Sequence, residues 1–375
     1  MLAVFWLSAV SSIAAPFSSP SERDGSPAPP TQHIKVAAYV WGGLLQQGSG
    51  IERFHRSVGF LLDHGFHSVR FTVGPNAASG YGFDPRSCPL QRGTMKCMLE
   101  AQLGDPVFDD PRLRSIYLTM EEFEDGGADS VANTLLYKNR VAIAREYADA
   151  LDFLAARFEK RHDFTLTILN WEGDNKIYCG SAFQFAHSAE ARASCEGSGD
   201  VRVRMSAYMD WTRLRLEAVE QARQRHPGVT IAFAVEINNV GMFSTRCDPV
   251  AACSTFPTLL NALAALGPQP LCSYSAYESL NGGDLAAALE RILSRCGRVI
   301  LGEIGFRRQS AGQPTLAAKY DSLQRQLLPF ADRIEAIVYW NAFDPPSGPQ
   351  RGYGLFDADG SPRNVDILPD GLRPH

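Results

Sequence analysis

Residues 164–175, FTLTILNWEGDN, begin as an apolar run and turn polar within two positions. Phe164, Leu166, Ile168 and Leu169, with threonines between them, have the aliphatic and β-branched content of a strand buried on both faces, as in a parallel sheet. The residues that follow, Asn170, Trp171, Glu172 and Asp174, are costly to bury without partners. A strand that is apolar along its length and polar at its carboxyl end is the pattern of a sheet whose edge meets a ligand.

The same pattern recurs along the chain. Strands are predicted at 34–41, 67–74, 115–120, 164–170, 229–238, 270–277, 298–306 and 334–343, and helices at 51–65, near 99–112, and at 138–161, 201–226, 282–295 and 315–328. Eight strand and helix units in roughly 340 residues predict a single α/β domain, a (β/α)8 TIM barrel over 33–375. A doubly wound nucleotide-binding sheet is the weaker reading, because YVWGGLLQQGSG after the first strand lacks the GxGxxG spacing.

Residues 1–15 form a short apolar stretch ending in small residues, which predicts a signal peptide, and 16–32 form a Pro/Ser-rich leader. Eight cysteines fit export and disulfide bonding, and hence a secreted or periplasmic protein. They fall in four local couples, Cys88 with Cys97, Cys179 with Cys195, Cys247 with Cys253, and Cys272 with Cys296. Neighbour pairing is the simplest connectivity, though sequence alone does not choose among the alternatives. A net charge of −5 and the lack of a Lys/Arg-rich run argue against nucleic acid, and no long apolar segment follows the signal to insert stably in a membrane. Neither CxxC nor HExxH spacing occurs, so no metal or other cofactor is expected.

In a barrel of this kind the active site forms at the carboxyl ends of the strands. There the sequence places Tyr39, Trp41, Arg70, Asn170, Trp171, Glu172, Asp174, Glu236, Asn238, Tyr274, Tyr277, Glu303, Trp340 and Asn341. Aromatic faces stack on sugar rings while amides and carboxylates bond hydroxyls, so a carbohydrate substrate is expected. Glycosidic cleavage needs two carboxylates, and Glu172 and Glu303 stand on strands four and seven, opposite each other on an eight-stranded ring.

The strings GFHSVRFTVG, YSAY, ILGEIGF, YWNAFD and GLFDADGSPRN resemble the second, sixth, seventh and eighth strands and the closing segment of the cellulase-like clan A glycoside hydrolases. NWEGD and SYSAY also resemble a narrower group of secreted barrels. The clan resemblance implies a retaining hydrolase with Glu303 as nucleophile, Glu172 as acid/base, Tyr277 bonding the nucleophile, Arg70 supporting it from below and Trp340 flooring the reacting subsite. Clan members end strand four in adjacent Asn-Glu, whereas Trp171 here separates Asn170 from Glu172. Glu172 or Glu236 could then take the acid/base role, Asp174 is placed to bond a substrate hydroxyl, and Tyr274 rivals Tyr277. A non-catalytic carbohydrate-binding barrel and a transglycosylase on the same fold are the competing functions.

Overall fold

Strand β2 (Ser68–Val73) is buried at every position, and its side chains divide by alternation. Val69, Phe71 and Val73 join the apolar layer between sheet and helices, while Arg70 and Thr72 face the other way, into the barrel. The remaining strands are β1 (Lys35–Tyr39), β3 (Ser115–Met120), β4 (Thr165–Leu169), β5 (Thr230–Ile237), β6 (Gln269–Ser275), β7 (Cys296–Ile304) and β8 (Ile334–Tyr339). Neighbours in sequence pair in parallel and β8 closes on β1, giving the expected (β/α)8 barrel. This computed structural model describes residues 34–41, 44–89, 93–123, 140–240, 256–280, 284–308, 315–348 and 350–374. The predicted signal peptide, the leader and the Cys247 and Cys253 couple lie outside the described residues.

Inside the barrel Ala37, Tyr39, Tyr117, Leu169, Ala234 and Ile300 pack as the interior plug. The helices close over the outside. Helix Ile51–Asp63 buries Phe54, Val58, Leu61 and Leu62, a single stripe at helical spacing. The two long helices run Arg140–Phe158 and Val201–Arg225, the latter capped by Asp200, whose side chain accepts from the Arg202 N–H.

Three differences from the sequence reading have physical causes. The helix expected near 99–112 begins earlier, as Met95–Leu103 capped by Thr94, and Pro106 opens a separate 3-10 turn, Pro106–Asp109. The segment after β4, where no helix is predicted before 201, holds three short helices, Gly173–Ile177, Ala182–His187 and Ala189–Gly197, the last two capped by Ser181 and Ser188. The last strand stops at Tyr339, leaving Trp340 and Asn341 beyond the ladder; Trp340 lines the mouth, whereas Asn341 is buried away from it.

Cys88–Cys97, Cys179–Cys195 and Cys272–Cys296 are disulfides, with Cα atoms 6.0, 5.7 and 5.9 Å apart. The first two staple loops to helices. The third ties strand β6 to β7 and is buried.

Candidate active site at the barrel mouth

A cavity of about 500 Å³ opens at the carboxyl ends of the strands. Glu172 and Glu303 both line it, with Trp171, Tyr277 and Trp340 and, beside them, Tyr39, Trp41, Thr72, Asn76, Thr119, Glu121, Gln350 and Tyr353.

Each carboxylate reaches the cavity through a local departure from regular backbone. Glu172 follows β4 with φ 23° and ψ 74°, a left-handed conformation that a non-glycine residue adopts only when its surroundings impose it. That turn absorbs the additional Trp171 and returns Glu172 to the mouth. On β7 the ladder to β8 shifts register between Leu301 and Ile304. Strict alternation would send Glu303 out with Leu301, but the irregularity lets Gly302 and Glu303 both face inward. Gly302 itself is required by crowding, since a Cβ there would stand 2.1 Å from Ser273 Oγ and 2.3 Å from Glu236 Oε2. Gly305 is required likewise, because its Cβ would meet the Trp340 carbonyl at 2.4 Å.

Burial dominates the electrostatics. It pushes Glu172 up to about 7, helped by the Glu236 charge and opposed by Arg70 and by a hydrogen bond from Asn175. Burial also raises Glu303 well above the usual carboxylate range; Arg70 opposes that rise, and Glu172 and Glu236 add to it. Both carboxyls are therefore easier to protonate than ordinary carboxylates, and each raises the other through its charge. Arg70 Nη2 stands 3.6 Å from Glu303 Oε1, and among the described residues no cation is that near Glu172. Geometry thus favours the negative charge on Glu303 and the proton on Glu172. Tyr277 is held protonated by burial and by the two carboxylates. Its hydroxyl and Glu303 Oε1 are both buried without a hydrogen-bond partner among the described residues, so the expected Tyr277 bond to the nucleophile is not formed.

Six residues expected to touch substrate do not line the cavity. Arg70 and Glu236 are fully buried in an ion pair with each other. Asn170 exchanges two hydrogen bonds with the Glu236 main chain, at 2.8 and 3.1 Å. Asp174 accepts from the backbone N–H groups of Leu259, Asn238 and Asn239, so its oxygens hold loops together. Burial raises Asp174 to about 6 against those three donors. Asn238 bonds Asn175. Tyr274 points into the helix layer and bonds Ser279 at 2.6 Å, because alternation separates it from the residues aimed at the mouth.

Glu121 carries the same strand-end signal, since it directly follows β3, and it pairs with Lys176 at 2.6 Å. Gln350 and Tyr353 come from the segment after β8, held by Asp344 Oδ1 accepting from the Gly352 and Gly354 N–H groups at 2.6 and 3.1 Å. No strand-end pattern marks them. Among the described residues no cluster of three His, Cys, Asp or Glu side chains could hold a metal.

No protein-family model and no curated protein matches the chain. Solved structures do. The chain is similar to the virulence factor SghA of Agrobacterium tumefaciens, with a TM-score of 0.50 and 11% identity over 88% of this chain and 98% of that one. It is also similar to a psychrophilic glycoside hydrolase family 10 endo-beta-1,4-xylanase, with TM-score 0.49, 14% identity and coverage of 90% and 96%. Xylanase B of Clostridium stercorarium F9 matches with TM-score 0.49, 13% identity and coverage of 90% and 97%. At such identities the likeness is one of fold. None of these matches bears on the narrower group of secreted barrels.

Proposed function

We propose that the protein is a secreted or periplasmic glycoside hydrolase that cleaves a polysaccharide or glycoconjugate by double displacement with retention. The observation that carries this reading is that Glu172 and Glu303, from strands three apart on the ring, line one cavity beside Trp340, where burial raises both above the usual carboxylate range. The disulfides among the described residues support an exported protein. Retention rests on the clan A resemblance.

In the first step a Glu303 oxygen forms a bond to the anomeric carbon as the glycosidic C–O bond breaks, and the Glu172 proton goes to the departing oxygen. In the second, Glu172, now a carboxylate, takes a proton from water, whose oxygen bonds the anomeric carbon and releases Glu303. Trp340 and Trp171 offer apolar faces to sugar rings, and Glu121 and Asn76 offer polar atoms to hydroxyls.

The test is hydrolysis of a panel of aryl glycosides and plant and microbial polysaccharides by wild type and Glu303→Gln, with the first product read by proton NMR. Turnover that gives the substrate's own anomer and vanishes in the variant is expected. Products longer than the substrate would mean transglycosylation, and sugar binding without turnover in wild type would make the barrel a binding protein.

A further inference from the structure

Glu236 takes no part in that chemistry, yet four donors converge on its buried carboxylate. Arg70 Nη1 donates to Oε2 at 2.7 Å and Nη2 to Oε1 at 3.0 Å. Ser273 Oγ donates to Oε2 at 2.8 Å, and the Glu172 backbone N–H to Oε1 at 3.3 Å. The main chain of Glu236 is fastened as well, through its two bonds with Asn170, two residues before Glu172. These links run from β5 to β2 and to the turn that carries Glu172, and Gly302 leaves the space in which they meet.

We propose that Glu236 is a positioning residue: through the Glu172 backbone and through Arg70 it fixes where the two mouth carboxylates stand and how much positive charge each feels. This rests on the hydrolase reading of the mouth.

Two consequences follow from the geometry. The left-handed turn at Glu172 is unfavourable by itself, and the N–H bond to Glu236 fastens its first atom. Arg70, with two donors committed to Glu236, is held 3.6 Å from Glu303, close enough to stabilise charge and too far to hydrogen-bond. Glu303 Oε1 is thereby left without a donor that would blunt a nucleophile. The groups facing Glu172 are Arg70 from β2, Glu121 with its Lys176 partner, Glu236 from β5, Tyr277 after β6 and Glu303 from β7. Of these, Glu236 is the largest charge influence on Glu172 after burial itself.

Carboxyl carbon NMR of the full chain, followed from pH 4 to 9, tests this without a substrate. In Glu236→Gln the Glu172 midpoint should fall by about one pH unit, because a facing negative charge is gone and no longer offsets Arg70. In Ser273→Ala, which keeps the ion pair, it should move up by a smaller amount, because a donor offsetting the Glu236 charge is lost. The alkaline limb of the pH–rate profile should follow each midpoint. If Glu236→Gln does not fold, the direction in Ser273→Ala decides. A Glu172 midpoint unmoved in the folded variants, with activity lowered equally at every pH, would reduce Glu236 to scaffolding and overturn the proposal. Midpoints that move in a protein that cleaves no glycoside would leave the positioning intact and remove the hydrolase reading.

Discussion

Arg70 grips Glu236 with two N–H donors, at 2.7 and 3.0 Å, at a site sealed from solvent. A planar guanidinium can span both carboxylate oxygens and still face Glu303, whereas a lysine ammonium cannot. Arg70→Lys should therefore cost about 3 kcal/mol of stability in urea unfolding, as a buried pair is broken. It should also lower kcat roughly a hundredfold, which is about 2.7 kcal/mol of barrel-mouth stabilisation. Wild-type rates in that variant would contradict the role given to Arg70.

The raised Glu172 makes activity and stability decline together as pH rises through its folded value. General acid catalysis needs Glu172 protonated, so kcat/KM should fall above about 7, the value to which Glu172 is raised, and on the acid side it should fall as Glu303 is protonated. A carboxyl raised in the folded state stabilises the fold below its ordinary pKa and loses that contribution as pH rises through the folded value. Glu172→Gln should thus be more stable than wild type at pH 8 by up to about 3 kcal/mol and gain nothing at pH 4. Equal urea midpoints at pH 8 would count against the burial argument.

Trp340 stands edge-on to Tyr39, with ring centroids 5.0 Å apart, and Tyr39 bonds Thr72 at 2.6 Å, so the indole is backed by a fixed support. If it floors a sugar subsite, Trp340→Ala should raise KM about tenfold with a smaller change in kcat, as lost ground-state contact predicts, and Trp340→Phe should restore most of it. A loss confined to kcat would place Trp340 in the chemistry instead.

Cys272–Cys296 closes a 24-residue separation between two neighbouring strands. Replacing both by alanine should lower stability by about 3 kcal/mol through a freer unfolded chain. Activity at room temperature should persist, because neither cysteine lines the cavity. Urea unfolding beside a rate assay checks both points.

Much of this architecture was legible because period-two alternation and strand-end polarity are local signals. Glu172, Glu303, Trp171, Tyr277 and Trp340 all line the cavity at the strand ends. Strand-end position does not reveal which way a side chain points. Tyr274 and Tyr277 differ by three residues, and the strand ends between them, so one packs outside and one faces the mouth. Asp174 sits in the helix Gly173–Ile177, and backbone donors from the distant segments at Asn238, Asn239 and Leu259 claim both its oxygens. Arg70 and Glu236 satisfy each other across the barrel, and nothing local to either marks that pairing. Glu303 reaches the mouth only through a register shift that alternation does not foresee.

The central claim is that Glu303 bonds the anomeric carbon. Incubating the wild-type chain with 2-deoxy-2-fluoro glycosides of several sugars, then digesting it and sequencing the labelled peptide by mass spectrometry, tests that directly. The expected outcome is one sugar per chain, esterified to Glu303 and lost on prolonged incubation in water. A sugar carried on Glu172, Glu236 or any other side chain would contradict it.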